Sequence, residues 1–289
     1  MKRYIAGMLV CLLCVSLFTG CSASGNNQET QPKETEEVIE VEALSKDKEY
    51  NILFVGNSYT YYNDMPTAYF GEMAKSCSYH VNVTAVTKGG HKLSAHADPA
   101  DPYGERVAMY LSTPNAFDYV ILQEQSVLPA TNPEAFYAAV RTLAEKARAV
   151  GAKPILYATW GRKDGSKTLT DNGMTNESMT WRLAAAYEHI GKELDIPVIF
   201  IGLAFRDVYM NSAIELYNDD LSHPSANGSY LAGMALFSGI FKVLPKDIAF
   251  SGNLTTEDAD TVRKAVTTAV FRTPEIPQEY QESAKAPQE

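Results

Sequence analysis

Three polar residues, one near the start of the chain and two near its end, have the types and spacing that nucleophilic acyl transfer needs. Ser58 follows Gly56-Asn57 at the end of an apolar segment, and Asp220 stands three positions before His223. A serine hydroxyl becomes a strong nucleophile when an imidazole removes its proton and a carboxylate orients that imidazole. Each motif alone also fits an ordinary turn or helix start. Together they predict Ser58 as the nucleophile, His223 as the general base and Asp220 as the acid that orients it.

A parallel sheet is the element that must bring these residues together. From residue 50 the chain alternates short β-branched segments with longer amphipathic ones, which is the pattern of strands covered by helices on both faces. Ligands bind at the carboxyl ends of such strands, and Ser58 follows the first of them. The predicted strands are residues 51–55, 81–86, 119–123, 154–158 and 197–201, and the predicted helices are 133–150, 175–194 and 223–240.

The two ends of this region also resemble a known family. Gly56-Asn57-Ser58-Tyr59 and Asp220-x-x-His223-Pro224 are similar to the first and last blocks of the SGNH (GDSL-like) hydrolase superfamily. The resemblance spans residues 50–243 and implies an α/β fold, a flavodoxin-like three-layer α/β/α sandwich with a central parallel sheet of about five strands. It implies a serine esterase. The α/β-hydrolases are disfavoured, because the chain contains no Gly-x-Ser-x-Gly pentapeptide.

The same resemblance implies an oxyanion hole formed by the N–H of Ser58, a glycine after the second strand and an asparagine after the third. The segment 87–90, Thr-Lys-Gly-Gly, supplies the glycine, and Gly90 is the expected donor. The asparagine is missing, because Leu-Gln-Glu-Gln-Ser at 122–126 stands where Gly-x-Asn-Asp is usual. A glutamine carboxamide offers the same N–H donor one methylene further out, so we expect Gln123 or Gln125 to fill this role.

Polar-tipped side chains predicted at the rim of the same sheet edge favour a carbohydrate substrate. Tyr59 and Tyr61 follow the nucleophile, and Trp160 and Arg162 follow the fourth strand. Aromatic rings suit the apolar faces of sugars, although rings that merely fill the surface between loops give the same pattern. We therefore expect short acyl esters, chiefly acetyl esters on carbohydrate, as substrates. A lipase-like or thioester acyl hydrolase and a non-catalytic surface glycan-binding lipoprotein are the alternatives.

The N-terminus has the layout of a bacterial lipoprotein signal. Lys2-Arg3, an apolar run and Gly20-Cys21 predict a signal peptide over residues 1–20, too short to span a membrane, and lipidation of Cys21. The polar segment 21–48 is expected to be a disordered tether. The hydrolase domain is predicted over 49–250, followed by a C-terminal helix and a disordered tail over 251–289. We expect an extracytoplasmic enzyme that its lipid anchor holds at the bacterial cell membrane.

Composition narrows the partners and cofactors. The formal net charge of −10 makes nucleic acid and anionic polymers poor partners. Of the four cysteines, three fall in the predicted signal and lipidation site, which leaves Cys77 without a disulfide partner. His91, His96 and Asp98 match no standard zinc spacing, so we expect no metal and no cofactor. The sequence does not indicate an oligomeric state.

Overall fold

The computed structural model, which describes residues 39–272 and 275–285, contains within those ranges one sheet of five parallel strands. The strands lie in the order β2-β1-β3-β4-β5, and helices flank the sheet. This arrangement confirms the predicted α/β/α fold. The strands are β1 Glu49–Gly56, β2 His80–Thr87, β3 Tyr119–Leu122, β4 Lys153–Tyr157 and β5 Val198–Ile199.

Helices form most of the connections between successive strands, as a parallel sheet requires. The helices are α1 Ser58–Tyr61, α2 Glu72–Ser76, α3 Leu93–Ala97, α4 Pro102–Tyr110, α5 Leu128–Thr131, α6 Pro133–Ala149, α7 Lys167–Asp171, α8 Asn176–Leu194, α9 Ile201–Asn211, α10 Ala226–Phe241, α11 Thr256–Thr267 and α12 Gln278–Lys285. A π-helical segment, Met65–Gly71, lies between α1 and α2.

The central strands position the loops that carry the site. β1 pairs with β3 so that Ile52 lies opposite Tyr119 and Val55 opposite Leu122. The apolar residues of β1 are buried, because helices cover both faces of a parallel sheet. Since all five strands run in one direction, the loops that follow β1, β3 and β4 meet at one edge of the sheet.

Capping residues explain where two long helices begin. Asn132 caps α6 by accepting the N–H of Ala135, and Pro133 occupies its first turn, as predicted. The predicted start of α10 at His223 is wrong, because Ser225 is the cap and the helix begins at Ala226. His223 therefore belongs to a loop.

The predicted fifth strand, residues 197–201, is wrong at its C-terminal end. β5 contains only Val198–Ile199, and α9, a helix that the sequence did not predict, begins at Ile201. Gly202 allows this close turn: its N–H donates to the carbonyl of Ala158 at 3.1 Å, and a Cβ there would lie 2.1 Å from the carbonyl oxygen of Thr159. A short apolar run does not distinguish a strand from a buried helix start.

The predicted disordered tail is corrected over part of its length. Gln278–Lys285 forms α12, which packs against α8. The hydroxyl of Tyr137 donates to the carbonyl of Ala284 at 2.9 Å, and Ala284 is buried. The composition of this segment is polar, so its order comes from tertiary contacts that the local pattern does not reveal.

Part of the predicted tether contacts the domain. The N–H of Leu44 donates to the carbonyl of Phe241 at 3.1 Å, and the hydroxyl of Tyr79 donates to the carbonyl of Leu44 at 2.9 Å. The signal peptide and Cys21 lie outside the described residues, and the domain boundaries stay predictions. Across 39–272 and 275–285, no helix combines the length and the apolar character that crossing a membrane takes.

Candidate active site

Ser58 lies where β1 ends and the short helix α1 begins. Asn57 caps this helix, because its side-chain oxygen accepts the N–H of Tyr59 at 3.1 Å. Gly56 precedes the turn, and a Cβ there would lie 2.6 Å from Oε1 of Gln123, so a larger residue does not fit. The turn places Ser58 at the carboxyl edge of the sheet, where it is 8% exposed.

His223 and Asp220 reach Ser58 from a loop near the other end of the domain. Nε2 of His223 lies 2.8 Å from Oγ of Ser58, and Nδ1 of the same ring contacts Oδ2 of Asp220. Oδ1 of Asp220 accepts the backbone N–H groups of Ser222 and His223, at 3.0 and 2.9 Å. Partial burial raises the pKa of Asp220, but these hydrogen bonds together outweigh it and hold that pKa below its ordinary value. The structure thus brings together a hydroxyl, an imidazole and an ionised carboxylate.

The segment 220–223, here called the histidine loop, contains one strained backbone position, and hydrogen bonds from neighbouring segments hold it in place. Leu221 has a φ of 59°, a left-handed conformation that costs a non-glycine residue about 1–2 kcal/mol. The N–H of Lys163, in the loop after β4, donates to the carbonyl of Leu221 at 2.9 Å. The amide of Asn63 donates to the carbonyl of Pro224 at 2.9 Å. The histidine loop is therefore fixed from two sides.

Tyr59 and Trp160 do not line the cleft as predicted, because both are buried. Their rings are parallel, with centroids 4.6 Å apart, and Phe205 continues the stack 4.1 Å from Trp160. The hydroxyl of Tyr59 lies 2.8 Å from Oγ of Ser222, and Nε1 of Trp160 donates to the carbonyl of Ser222 at 3.2 Å. These two side chains hold the histidine loop and do not reach the surface. Burial also raises the pKa of Tyr59.

Tyr61 and Tyr62, and not Tyr59 and Trp160, form the aromatic rim of the site. The ring of Tyr62 stacks on the imidazole of His223, with centroids 4.2 Å apart and planes inclined by 12°. Tyr61 is 40% exposed, and a Cβ on Gly89 would lie 3.2 Å from its hydroxyl. Tyr61 therefore lies beside the loop that follows β2, residues 88–92, here called the glycine loop. Its role in substrate binding stays a prediction.

The loop after β2 carries Gly90 beside the nucleophile turn. Its φ of 69° lies in the left-handed region that favours glycine. The N–H of Lys88 donates to the carbonyl of Gly56 at 3.3 Å, and the amide of Asn57 donates to the carbonyl of His91 at 3.0 Å. Nothing lies within 4 Å of where a Cβ of Gly90 would be, so the space beside its Cα is open.

The two glutamines after β3 are used differently from the prediction. Oε1 of Gln123 accepts the N–H of Asn57 and the hydroxyl of Thr60, both at 2.9 Å, so its amide nitrogen faces away and donates to the carbonyl of Glu124. Oε1 of Gln125 accepts backbone N–H groups at the start of α5. The contact of the Gln123 amide nitrogen corrects the expectation that this residue is an oxyanion donor. The amide nitrogen of Gln125 donates to Oγ of Ser126 at 3.4 Å, and its role in the oxyanion hole stays a prediction. The carboxamide oxygens accept backbone N–H groups, and these contacts fix the direction of each side chain. Sequence spacing alone does not reveal them.

Glu124, which the sequence did not single out, braces the glycine loop. It is fully buried, and its Oε1 accepts the N–H groups of Leu93 at 3.0 Å and Gln125 at 2.6 Å. Its Oε2 is buried without a hydrogen-bond partner among the described residues. Burial raises the pKa of Glu124 to about 7, although the two N–H groups act in the opposite direction. The sequence feature that could have identified Glu124 is the position of an acidic residue directly after a buried strand.

Arg162 lies in the loop after β4 and is partly exposed. Its two terminal nitrogens donate to Oγ1 of Thr168 at 2.8 Å and to Oγ of Ser126 at 3.1 Å. Arg162 therefore contacts the loop that follows β3 through Ser126, and its role in substrate binding stays a prediction.

The histidines considered as metal ligands have other contacts. Nε2 of His91 lies 3.0 Å from Oδ1 of Asp101, whereas Nε2 of His96 lies 2.8 Å from the carbonyl of Gly56. Burial lowers the pKa of His96 to about 4, which keeps the ring neutral. Asp98 accepts the N–H of Ala100. In the part of the chain that the structure describes, no three His, Cys, Asp or Glu side chains are grouped to hold a metal ion.

Comparison with solved structures identifies the family. A protein from Slackia heliotrinireducens, assigned to the SGNH hydrolases, is 34% identical, with a TM-score of 0.59 over 67% of this chain and 100% of that one. The chain therefore belongs to the SGNH hydrolases and is an enzyme that hydrolyses ester bonds. A DUF4886 family protein from Bacteroides uniformis shares the fold at 14% identity, with a TM-score of 0.67 over 80% of this chain and 98% of that one. No family model and no curated protein matches the chain.

Proposed function

We propose that this esterase hydrolyses short acyl esters, chiefly acetyl esters on carbohydrate, through an acyl-enzyme on Ser58. The observation that carries the proposal is the 2.8 Å approach of Nε2 of His223 to Oγ of Ser58, with Asp220 against Nδ1 of the same ring. This separation lies within the range that a general base needs for proton transfer, so no rearrangement has to precede attack.

In the first half-reaction, Oγ of Ser58 attacks the carbonyl carbon of the ester while its proton passes to Nε2 of His223. The backbone N–H groups of Ser58 and Gly90 stabilise the negative charge on the carbonyl oxygen. Asp220 stabilises the imidazolium that forms. The tetrahedral intermediate then breaks its bond to the alcohol oxygen, which takes the proton from His223 and leaves.

In the second half-reaction, a water molecule gives a proton to Nε2 of His223 and attacks the acyl carbon. The bond between this carbon and Oγ of Ser58 breaks, the proton returns to the serine, and the carboxylic acid leaves. The same three side chains thus serve both steps.

The character of the rim supports a small acyl group on a sugar. Sugar rings stack on exposed aromatic side chains, whereas long acyl chains need a continuous aliphatic groove. Tyr61 belongs to the segment that carries Ser58 and presents an exposed ring beside Gly89. Within the described residues, the exposed large apolar side chains are Val41, Tyr61, Met109 and Met210.

We further propose that Cys21 carries the lipid that holds the enzyme at the outer face of the cell membrane. The support is the Gly20-Cys21 pair after an apolar run. Replacing Cys21 by Ser is expected to move the enzyme from the membrane fraction to the medium or the soluble fraction. Unchanged membrane association contradicts anchoring at this residue.

Hydrolysis of p-nitrophenyl acetate, butyrate and octanoate, together with acetate release from acetylated oligosaccharides, tests the proposed function. We expect activity to fall with chain length and to vanish in Ser58→Ala. Ser112→Ala removes an exposed serine hydroxyl on the surface and is the matched control, with unchanged rates.

Three outcomes contradict parts of the proposal. Activity that survives Ser58→Ala rejects Ser58 as the nucleophile. A preference for octanoate favours a lipase-like enzyme, and wild-type inertness toward every ester favours a binding protein on the same fold.

A further inference from the structure

Arg162 is a partly buried cation for which the described residues supply no anion. The two charged residues that follow it already have partners. Nζ of Lys163 lies 2.5 Å from Oε2 of Glu215, and Asp164 accepts the N–H of Asn176 at 2.9 Å. No described carboxylate forms a salt bridge with Arg162, and its Nε–H is buried without an acceptor. Because removing a charge from water without a counter-ion is costly, such a guanidinium is typical of a binding residue.

The guanidinium is held in a fixed plane. The hydroxyls of Thr168 and Ser126 accept one N–H from each terminal nitrogen, at 2.8 and 3.1 Å. Each terminal nitrogen carries a second N–H, and the described residues offer no acceptor for these two donors. A planar pair of parallel N–H groups matches the two oxygens of a carboxylate. Both partners of Arg162 are neutral, so the positive charge is not neutralised by them.

Arg162 also lies close to the histidine loop. Lys163, the next residue, donates its N–H to the carbonyl of Leu221 in that loop at 2.9 Å. The charge of Arg162 also lowers the pKa of Tyr59, although burial has the larger and opposite effect on that phenol. The hydroxyl of Tyr59 in turn lies 2.8 Å from Oγ of Ser222, which precedes His223. These contacts place Arg162 beside the loop that carries His223, so we expect a group bound at Arg162 to belong to the same molecule as the ester at Ser58.

We propose that Arg162 determines specificity by binding a single carboxylate on the alcohol part of the ester, as in an O-acetylated uronic acid. This inference rests on the proposed function of Ser58. An acetyl group contains no ionisable group, so the carboxylate belongs to the alcohol part of the ester. The net charge of −10 disfavours a polyanion, whereas one local guanidinium suits one isolated carboxylate.

Two substrates that differ only in charge test the inference. They are a mono-O-acetylated methyl glucuronide and its C6 carboxamide, with kcat/KM measured by acetate release. We expect the wild type to prefer the acid by about 10- to 100-fold, the range of a charge-assisted hydrogen-bonded pair. Arg162→Gln is expected to remove this preference. Lys163→Gln removes a positive charge from the same loop, one already paired with Glu215, and is expected to keep it.

Several results overturn the inference. They are equal wild-type rates on the two substrates, an equal loss on both in Arg162→Gln, and loss of the preference in Lys163→Gln. Should Arg162→Gln fail to fold, Arg162→Lys replaces it and is expected to retain only part of the preference, because lysine is a point charge without a fork. An unchanged preference in that variant contradicts binding by the fork.

Failure of the proposed function gives a different signature. If neither acetylated sugar is hydrolysed, the carbohydrate esterase is rejected, and calorimetric binding of the acid and the amide to Ser58→Ala still decides the role of Arg162. Tighter binding of the acid that Arg162→Gln abolishes in the Ser58→Ala background supports the carboxylate site. Equal affinities overturn it.

Discussion

The two sides of Ser58 are built differently. On one side, the buried rings of Tyr59 and Trp160 hold Ser222 and, through it, the histidine loop. On the other side, Gly90 lies in an exposed loop after the edge strand β2, and the N–H of Leu93, where this loop ends, donates to Oε1 of Glu124 at 3.0 Å. Proton transfer tolerates little displacement, so the imidazole is fixed by packed side chains. In the proposed mechanism the Gly90 side forms the oxyanion hole, and the exposure of Gly90 leaves it open to a substrate.

The largest expected effect comes from breaking the orientation of the imidazole. Asp220→Asn is expected to lower kcat by about 10⁴-fold, because an amide no longer holds the required tautomer or stabilises the imidazolium. Asp219→Asn, at the adjacent exposed position, is the matched control with unchanged kcat. Steady-state hydrolysis of p-nitrophenyl acetate measures both variants. A loss of less than tenfold in Asp220→Asn rejects this role.

A smaller effect is expected where the aromatic stack meets the histidine loop. Tyr59→Phe keeps the ring but removes the hydroxyl that lies 2.8 Å from Ser222, so kcat should fall about tenfold with KM unchanged. Ser222→Ala should act similarly, and the double variant should lose no more than either single one, because both remove the same contact.

Tyr137→Phe distinguishes positioning from general stability. This substitution removes another buried hydroxyl, one that donates to the carbonyl of Ala284. It should lower the free energy of unfolding by about 1 kcal/mol and leave kcat unchanged. Additive losses in the Tyr59→Phe and Ser222→Ala pair, or an equal kcat loss in Tyr137→Phe, contradict the positioning role.

The smallest effect on kcat, less than about twofold, is expected for Glu124→Gln, whose main effect is on stability. The pKa of Glu124 is raised by burial from 4.5 to about 7. Between these values the folded state holds a proton that the unfolded chain releases, so stability falls as pH rises. The free energy of unfolding of the wild type relative to Glu124→Gln should fall by about 3 kcal/mol from pH 4.5 to 7.

Urea unfolding across this pH range measures the difference. Glu105→Gln replaces an exposed glutamate and should show no comparable trend. A difference between the wild type and Glu124→Gln that is flat with pH contradicts a buried, protonated Glu124. Such a result also contradicts the support of the glycine loop by a buried carboxyl.

Local patterns were sufficient for the sheet and for the meeting of its two ends. β-branched runs predicted each strand to within a few residues, and the parallel topology then requires the turn after β1 to share an edge with later loops. Because Asp220 and His223 are three residues apart, the two carboxylate oxygens reach different groups of one turn. Oδ1 accepts the N–H of Ser222, and Oδ2 contacts Nδ1 of His223. These features depend on near neighbours in the sequence.

Side-chain direction could not be predicted in the same way. Whether Tyr59 points outward depends on Ser222 and Trp160, which come from distant segments, and burial of an aromatic ring leaves no mark in local spacing. The orientation of the Gln123 carboxamide likewise depends on the N–H of Asn57 across the sheet. Such contacts are long-range, so composition and periodicity do not determine them.

Proton transfer from Ser58 to His223 is tested by covalent labelling with a fluorophosphonate, followed by mass spectrometry of the digested enzyme. We predict one adduct, on Ser58, in the wild type, and labelling slowed by at least about 10³-fold in His223→Gln, because the hydroxyl then lacks its base. An adduct on another residue, or labelling of Ser58 at the same rate in both proteins, contradicts proton transfer from Ser58 to His223.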